Sequence, residues 1–142
     1  MLKRLMPPAL AIVIAVVALL IPAPASAASD SAAPPMTKLC KNFTGSPCWA
    51  KTILPSGAPV CAPGSPVPLY LRNGGTACLK TGDLVLITCW YTGSPTVLGD
   101  SIEDHVTEVE QDGVVYSFTG HIPDVYIDLG NHDPAVVGIV HC

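Results

Sequence analysis

The chain has 142 residues, 49% of them hydrophobic, with seven Lys and Arg against eleven Asp and Glu and a net charge of −4 at pH 7. This length corresponds to one domain. After Lys80 the sequence contains ten acidic residues and no Lys or Arg. Binding to nucleic acid or to anionic lipid depends on basic side chains, so the charge distribution argues against both as partners.

Residues 1–27 have the pattern of a secretory signal peptide. Lys3 and Arg4 precede an apolar run over residues 9–21, and a small-residue cleavage site follows at 25–27. The run is too short for the roughly 20 residues that a membrane-spanning helix needs. We therefore expect a secreted, extracellular protein with no membrane association after cleavage. The chain after the cleavage site has five basic and eleven acidic residues, which give a net charge of −6.

Six cysteines lie beyond the leader: Cys40, Cys48, Cys61, Cys78, Cys89 and Cys142. An even number in an exported chain indicates a disulfide framework, and six cysteines permit fifteen pairings among which the sequence does not choose. Short loops favour Cys40 with Cys48 and Cys61 with Cys78, which would leave Cys89 to join the C-terminus to a core strand.

Residues 28–67 are expected to form a spacer followed by a Pro/Cys-rich extension. Positions 28–39 are small and polar, and prolines then recur every few residues up to position 68. Proline excludes a helix and disfavours central strands, so looped or extended chain held by disulfides is predicted.

From residue 68 the pattern becomes that of short strands separated by turns. LYLR (69–72) is followed by a KTGD turn and the apolar strand LVLITCWYT (84–92), which is expected to be buried on both faces. TGSP (92–95) predicts the next turn, and QDG (111–113) predicts a hairpin between SIEDHVTEVE (101–110) and VVYSF (114–118). Strands at this spacing without an amphipathic helix indicate a small all-β barrel or sandwich.

The order of these segments resembles the bacterial SH3-like domain of secreted and cell-wall proteins of Gram-positive bacteria. The resemblance covers residues 68–130 and rests on the following positions: Leu71, Arg72, Asn73, Gly74, Lys80, Gly82, Asp83, Gly120, His121, Ile122, Pro123, Asp124, Val125 and Tyr126. It implies an SH3-like β-barrel over residues 68–142, in which GHIPDVYIDLG (120–130) is the last strand and short helical turn that close the barrel.

Motifs for catalysis, metals or cofactors are missing from the sequence. His105, His121, His132 and His141 lie among acids but match no metal-site spacing, and no GxSxG or phosphate-binding loop occurs. Paired cysteines leave no thiol nucleophile. The scattered acids are interpreted as solvated surface, with Glu108 and Glu110 on one face of a strand. The sequence therefore predicts no enzyme activity, no metal and no cofactor.

Aromatic side chains provide the remaining functional candidates, because they can stack on sugar rings or hold a peptide. We predict a non-catalytic binding module at or outside the bacterial cell wall, with Trp90, Tyr91 and Tyr126 as ligand-binding residues. Its partner would be cell-wall glycan or peptide, or an extracellular protein. The alternative is a small inhibitor of an extracellular hydrolase that acts through loop 54–67, and a cell-wall hydrolase is a third hypothesis.

Overall fold

A computed structural model describes residues 38–42, 44–130 and 133–142, so the predicted signal peptide (1–27) and residues 28–37 of the spacer lie outside the described residues. The described chain is all-β. Seven strands occur in the following order: β1 (Cys48–Thr52), β2 (Val67–Leu71), β3 (Thr76–Leu79), β4 (Leu84–Val97), β5 (Asp100–Gln111), β6 (Val114–Pro123) and β7 (Ile127–Asp128). Short 3₁₀ turns span Cys40–Asn42 and Asp124–Tyr126.

The strands form one antiparallel sheet with the order β3-β2-β6-β5-β4-β1-β7. The sheet curls into a half-barrel. Several β-bulges interrupt the pairing of β4 with β5 and of β5 with β6, and bulges increase the local bend and twist of a strand.

Strand β4 is covered on both faces, as the apolar run at 84–92 predicted. Val85 and Ile87 belong to the main hydrophobic core, while Leu84 and Leu86 pack in a second cluster with Leu39 and Trp49. Side chains alternate between the two faces of a strand, so consecutive apolar residues serve opposite layers.

The β4–β5 turn lies later than the TGSP motif predicted, so that prediction is wrong. Strand β4 continues to Val97, and the chain reverses at Leu98 and Gly99, whose φ angles are 51° and 91°. By contrast, the QDG motif does form the predicted β5–β6 hairpin: Asp112 and Gly113 have φ angles of 52° and 83°. Positive φ at both turn residues suits the twist of a two-residue hairpin.

Two strands were not predicted. Residues 40–68 were expected to form looped or extended chain without a central strand. Instead, β1 lies between β4 and β7 and pairs Ala50 with Val85. This part of the extension is therefore integral to the sheet. Strand β3, between LYLR and the KTGD turn where no strand was predicted, pairs with β2 at the sheet edge.

Strand β1 also holds the KTGD turn in place. The Thr52 hydroxyl donates to the Lys80 carbonyl at 2.7 Å and accepts from the Gly82 N–H at 3.1 Å. The buried Asp83 carboxylate accepts from the Lys80 N–H at 2.8 Å and from the Gln111 side-chain amide at 2.6 Å. The motif is thus a turn whose polar groups are satisfied by two neighbouring strands.

The disulfides join Cys40 to Cys48, Cys61 to Cys78, and Cys89 to Cys142. These are the pairs that the spacing favoured. The first links the 3₁₀ turn to β1, the second links the proline-rich loop to the edge strand β3, and the third fixes the C-terminus against β4. Such cross-links restrict the unfolded chain and stabilise a small domain.

Segment 120–130 completes the sheet. Its first residues end β6, Asp124–Tyr126 form a 3₁₀ turn, and Ile127–Asp128 form β7 beside β1. Gly120 faces Leu71 where β2 pairs with β6, and a Cβ atom there would lie 2.4 Å from the Tyr70 carbonyl oxygen. Only glycine permits this approach of the two backbones.

We predict that Gly120→Ala lowers the free energy of unfolding by roughly 1–3 kcal/mol, because a backbone shift must relieve the clash. Gly75→Ala is the matched control, since its Cβ would approach the movable Asn73 side chain at 3.3 Å. Chemical denaturation of the oxidised proteins measures the difference, and equal stabilities of the two variants would contradict the close approach.

Candidate functional site

The structure does not bring the three predicted ligand-binding aromatic residues together. Trp90 and Tyr91 are neighbours on β4 and point to opposite faces. Tyr126 is 1% exposed and belongs to the main core, where burial raises the pKa of its hydroxyl. Because a side chain enclosed in the core cannot contact a ligand at the surface, we do not retain Tyr126 as a binding residue.

Trp90 holds the C-terminal segment. Its indole Nε1 donates to the Ile139 carbonyl at 2.9 Å, and its ring meets His141 edge-on with centroids 4.6 Å apart. The Trp90 backbone forms two further hydrogen bonds, with Val140 and Cys142. Tyr91 instead donates its hydroxyl hydrogen to Glu103 and packs edge-on against His121 at 5.8 Å.

A different group of residues surrounds a cavity with a volume of about 470 Å³. The cavity lies where the start of β5, the Asp124–Tyr126 turn, β7 and the segment after it meet. Its lining combines apolar residues with four aspartates: Ile53, Pro55, Asp100, Ile102, Asp124, Val125, Ile127, Asp128, Leu129 and Asp133. We call it the acidic pocket.

Three of these aspartates are held in place by nearby backbone N–H groups. Asp100 accepts from the N–H of Ile102 at 2.9 Å, Asp128 from Gly130 at 3.0 Å, and Asp133 from Ala135 at 2.8 Å. Asp128 also pairs with Lys41 at 3.1 Å, and both interactions lower the pKa of this carboxyl group. Short Asp side chains commonly make such bonds two residues ahead, so their carboxylates are fixed at the rim.

A carboxyl pair, Asp104 and Asp124, lies at the back of the pocket. Asp104 is fully buried on β5 opposite Ile122, and the chain turns back over it at the half-buried Asp124. Among the described residues, neither carboxylate oxygen of Asp104 nor Oδ1 of Asp124 has a hydrogen-bond partner. Since two ionised carboxylates have only acceptors, the pair needs a proton of its own.

The carboxyl pair is therefore expected to retain a proton. Burial is the main cause that raises the pKa of Asp104 well above its usual range, and the Asp124 charge raises it further. Burial also raises the pKa of Asp124 to about 6, although interaction with the Asp104 carboxyl group acts in the opposite direction. Asp104 is thus the favoured position of the proton, and Asp124 is the member that lines the pocket. The nearby charges of Asp100 and Asp133 add to both shifts.

This arrangement favours a cationic ligand over an anionic one. Two rim aspartates and Asp124 lie within electrostatic reach of one another, and an added positive charge would relieve their repulsion. Among the described residues, no three His, Cys, Asp or Glu side chains are arranged to bind a metal ion, while His132 lies outside those residues. An ammonium or guanidinium group satisfies the same charge requirement without metal geometry.

No protein-family model matches the chain, and neither curated proteins nor solved structures include a significant match. In the described ranges, no helix has the length and apolar character needed to cross a membrane.

Sequence reasoning missed the carboxyl pair because it interpreted the scattered acids of the C-terminal half as solvated surface. Glu103 is 8% exposed and Asp104 is completely buried. A signal was available: Asp104 lies two residues before the buried Val106 and two after Ile102, so the period of a strand places all three on one face. The partner Asp124 is contributed by a turn, and no local pattern pairs the two.

We predict that the carboxyl pair makes the protein less stable as pH rises from about 4 to 7. A carboxyl group whose pKa is raised by folding stabilises the fold fully below its unfolded pKa of about 4, and this stabilisation is lost as pH rises through about 6. Asp104→Asn keeps a hydrogen-bond donor toward Asp124 without a titrating group.

Thermal unfolding at several pH values measures this effect as the difference between wild type and Asp104→Asn. The comparison with the variant is needed because the lowered pKa of His105 makes the fold more stable as pH rises, which opposes the effect of the carboxyl pair. The variant should gain relative stability as pH rises, and parallel curves for the two proteins would contradict a retained proton.

Proposed function

We propose that this protein is a secreted, non-catalytic SH3-like binding module that acts at or outside the bacterial cell wall. Its acidic pocket binds a cationic group at the end of an aliphatic stem. The leading partner is wall peptide that carries free amino groups. The observation that carries this proposal is the combination of an apolar lining and fixed aspartates in one cavity of about 470 Å³.

The chemistry of the lining supports a ligand of this kind. Isoleucine, valine and leucine side chains can cover a hydrocarbon stem, as they cover the stems of lysine and arginine in proteins. Asp100 and Asp133 at the rim can then accept charge-assisted hydrogen bonds from the terminal cation. The volume lies within the range of roughly 300–1,000 Å³ found for small-ligand sites.

A non-catalytic role is supported by the position of the carboxyl pair. General acid–base chemistry by two carboxyl groups requires that each group lies within hydrogen-bond reach of the substrate, directly or through one water molecule. Asp104 has no exposed surface and does not line the pocket. The pair therefore suits a structural and electrostatic role better than a catalytic one.

Location and fold class rest on separate observations. All six cysteines are paired, and a domain with three disulfides is typical of extracellular proteins. The curled antiparallel sheet, with a 3₁₀ turn just before its last short strand, supports the SH3-like interpretation of the segment order.

We predict that the disulfide-bonded protein co-sediments with purified Gram-positive cell-wall sacculi without reducing their turbidity. Asp100→Asn/Asp133→Asn should weaken retention roughly tenfold, because it removes two charges and keeps the carbonyl oxygens that accept from Ile102 and Ala135. Asp112→Asn is the control, since Asp112 is exposed in the β5–β6 turn and asparagine tolerates its positive φ.

Each outcome of the sedimentation experiment has a definite meaning. Retention that is lost in the double variant and kept in Asp112→Asn supports the acidic pocket as the binding site. Wild-type protein that stays wholly in the supernatant contradicts wall binding, and a loss of turbidity contradicts the non-catalytic role. Equal retention of all three proteins would place the contact elsewhere.

The disulfide-anchored loop favours inhibition of an extracellular hydrolase as a second candidate. Val60 is 63% exposed beside Cys61, which is joined to the edge strand β3, and the loop is closed by hydrogen bonds between Ala62 and Ser65. An exposed apolar side chain on an anchored loop suits insertion into a protease pocket.

We predict for this candidate that the protein inhibits a secreted protease of the same culture and that Val60→Asp abolishes inhibition, because a charge does not enter an apolar pocket. Residual protease activity at increasing protein concentration is the measurement. Inhibition that is unchanged in Val60→Asp would exclude this loop as the inhibitory element.

A further inference from the structure

A second cavity, of about 140 Å³, is lined by one arginine, two histidines and two further residues of β6. Its lining consists of Arg72, His105, Thr119, Gly120 and His121. Arg72 follows directly after β2, His105 lies on β5, and the other three residues lie on β6. We call it the basic cavity. Because Asp104 and His105 are adjacent on β5, their side chains point to opposite faces, so the basic cavity is distinct from the acidic pocket.

The backbone fixes the positions of these basic residues. His105 and His121 are directly opposite each other in the β5–β6 ladder, and Tyr70 is opposite His121 in the β2–β6 ladder. The Arg72 N–H donates to the Thr119 carbonyl at 3.1 Å. The close contact of β2 with β6 at Gly120 therefore brings the arginine beside the two histidines.

The charge of Arg72 has no acidic partner among the described residues. The ion pairs of those residues are Lys41 with Asp128 and Lys80 with Asp112. The nearest acid on the outer face of β5 is Glu103, two residues before His105, and its carboxylate accepts a hydrogen bond from Tyr91. The other titratable side chains near this face are those of Tyr70, opposite His121, and Tyr91, whose ring packs against His121.

The hydrogen bonds of His105 determine which ring nitrogen remains for a ligand. Its Nδ1 lies 2.9 Å from the Thr88 hydroxyl, and this hydroxyl also donates to the His105 carbonyl at 3.3 Å. Because Nδ1 is engaged by Thr88, Nε2 is the nitrogen left for a ligand. When the single hydroxyl hydrogen is donated to the carbonyl, Nδ1 carries the hydrogen of the shared bond and Nε2 is an acceptor. Protonation would convert Nε2 from an acceptor into a donor.

Like charges surround His105. Burial is the main cause that lowers the pKa of this imidazole, and the positive charges of His121 and Arg72 lower it further. Directly opposed like charges destabilise a sheet. A bound anion would offset the repulsion between the positive charges of the three basic residues.

We propose that the basic cavity binds the oxyanion of a phosphate or carboxylate group. The Arg72 guanidinium can bind two oxygens side by side, and the two imidazoles and the Thr119 hydroxyl offer further donors. A volume of about 140 Å³ accommodates one such group and not a larger ligand, so the rest of the bound molecule extends into solvent.

Proton uptake accompanies this binding. The anion favours the charged form of His105, so affinity rises as pH falls, by up to about tenfold per pH unit for one linked proton. Sulfate and acetate are suitable probes, because both remain predominantly ionised between pH 5.5 and 7.5. Sulfate represents the phosphate-type ligand, and acetate represents the carboxylate.

The test follows the imidazole NMR signals of the oxidised protein during titration with sodium sulfate or sodium acetate. Chloride keeps the ionic strength constant. We expect saturable shifts of the His105 and His121 signals, weaker binding at pH 7.5 than at 5.5, and a higher His105 pKa in the presence of the anion. Saturation by only one probe identifies the type of oxyanion.

Two variants distinguish a built site from general screening. Arg72→Gln should abolish saturation at both histidines, whereas Lys51→Gln, which removes an exposed charge from β1, should leave it unchanged. Arg72→Lys keeps the charge without the planar fork and should bind several-fold more weakly. Linear shifts, or equal shifts in wild type and Arg72→Gln, would overturn the proposal, and neither result depends on the acidic pocket.

Discussion

The two-sided burial of β4 is the constraint on which the rest of the structure depends. An antiparallel sheet commonly has one face in solvent, whereas the first half of β4 has apolar cover on both. The main core covers Val85 and Ile87, and a cluster around Trp49 covers Leu84 and Leu86. Leu39 and Trp49 of this cluster come from the N-terminal part of the described chain. There a disulfide links the 3₁₀ turn at Cys40 to Cys48 of β1. The middle of β4, at Cys89 and Trp90, is covered by the C-terminus, which Cys142 joins to Cys89.

The strand order places the acidic pocket next to this core. Strand β7 reaches β1 only because the chain turns sharply after β6, and this turn brings Asp124 over Asp104. The same turn buries Tyr126, so one short segment contributes a core side chain and a pocket side chain. A buried carboxyl group without another donor is unfavourable when it is ionised. The retained proton makes this position of Asp104 compatible with a folded core.

Strand patterns and cysteine spacing predicted a large part of the fold. The positions of β2, β5 and β6 and the two-sided burial of β4 follow from composition and alternation. The three disulfide pairs are those that short loops favoured among fifteen possible sets. The 92–95 motif was misleading because pairing with β5 continues past it: the register changes irregularly between Thr92 and Val97, and the local turn signal becomes a disturbance within the hairpin. Strand β1 has five residues and pairs with distant strands, so no local pattern marks it.

The candidate sites were less predictable than the fold, because each depends on side chains from different strands. Asp104 and Asp124, like Arg72 and His121, meet only through the order of strands in the sheet. Aromatic residues gave the clearest local signal for binding, yet the structure uses Trp90 to hold the C-terminus and Tyr126 to fill the core. Local composition identifies what a side chain can do, whereas the sheet topology decides what it meets.

Adjacent residues of β5 give the two proposed sites opposite responses to pH. The pKa of Asp124 is raised to about 6, so the acidic pocket gains negative charge and attracts cations more strongly above this pH. The pKa of His105 is lowered, so this residue adds a positive charge to the basic cavity only below neutral pH. Because the strand period separates Asp104 from His105, the two proton equilibria belong to different faces of one sheet. Under both proposals, a fall in pH lowers the affinity of the acidic pocket for a cation and raises the affinity of the basic cavity for an anion.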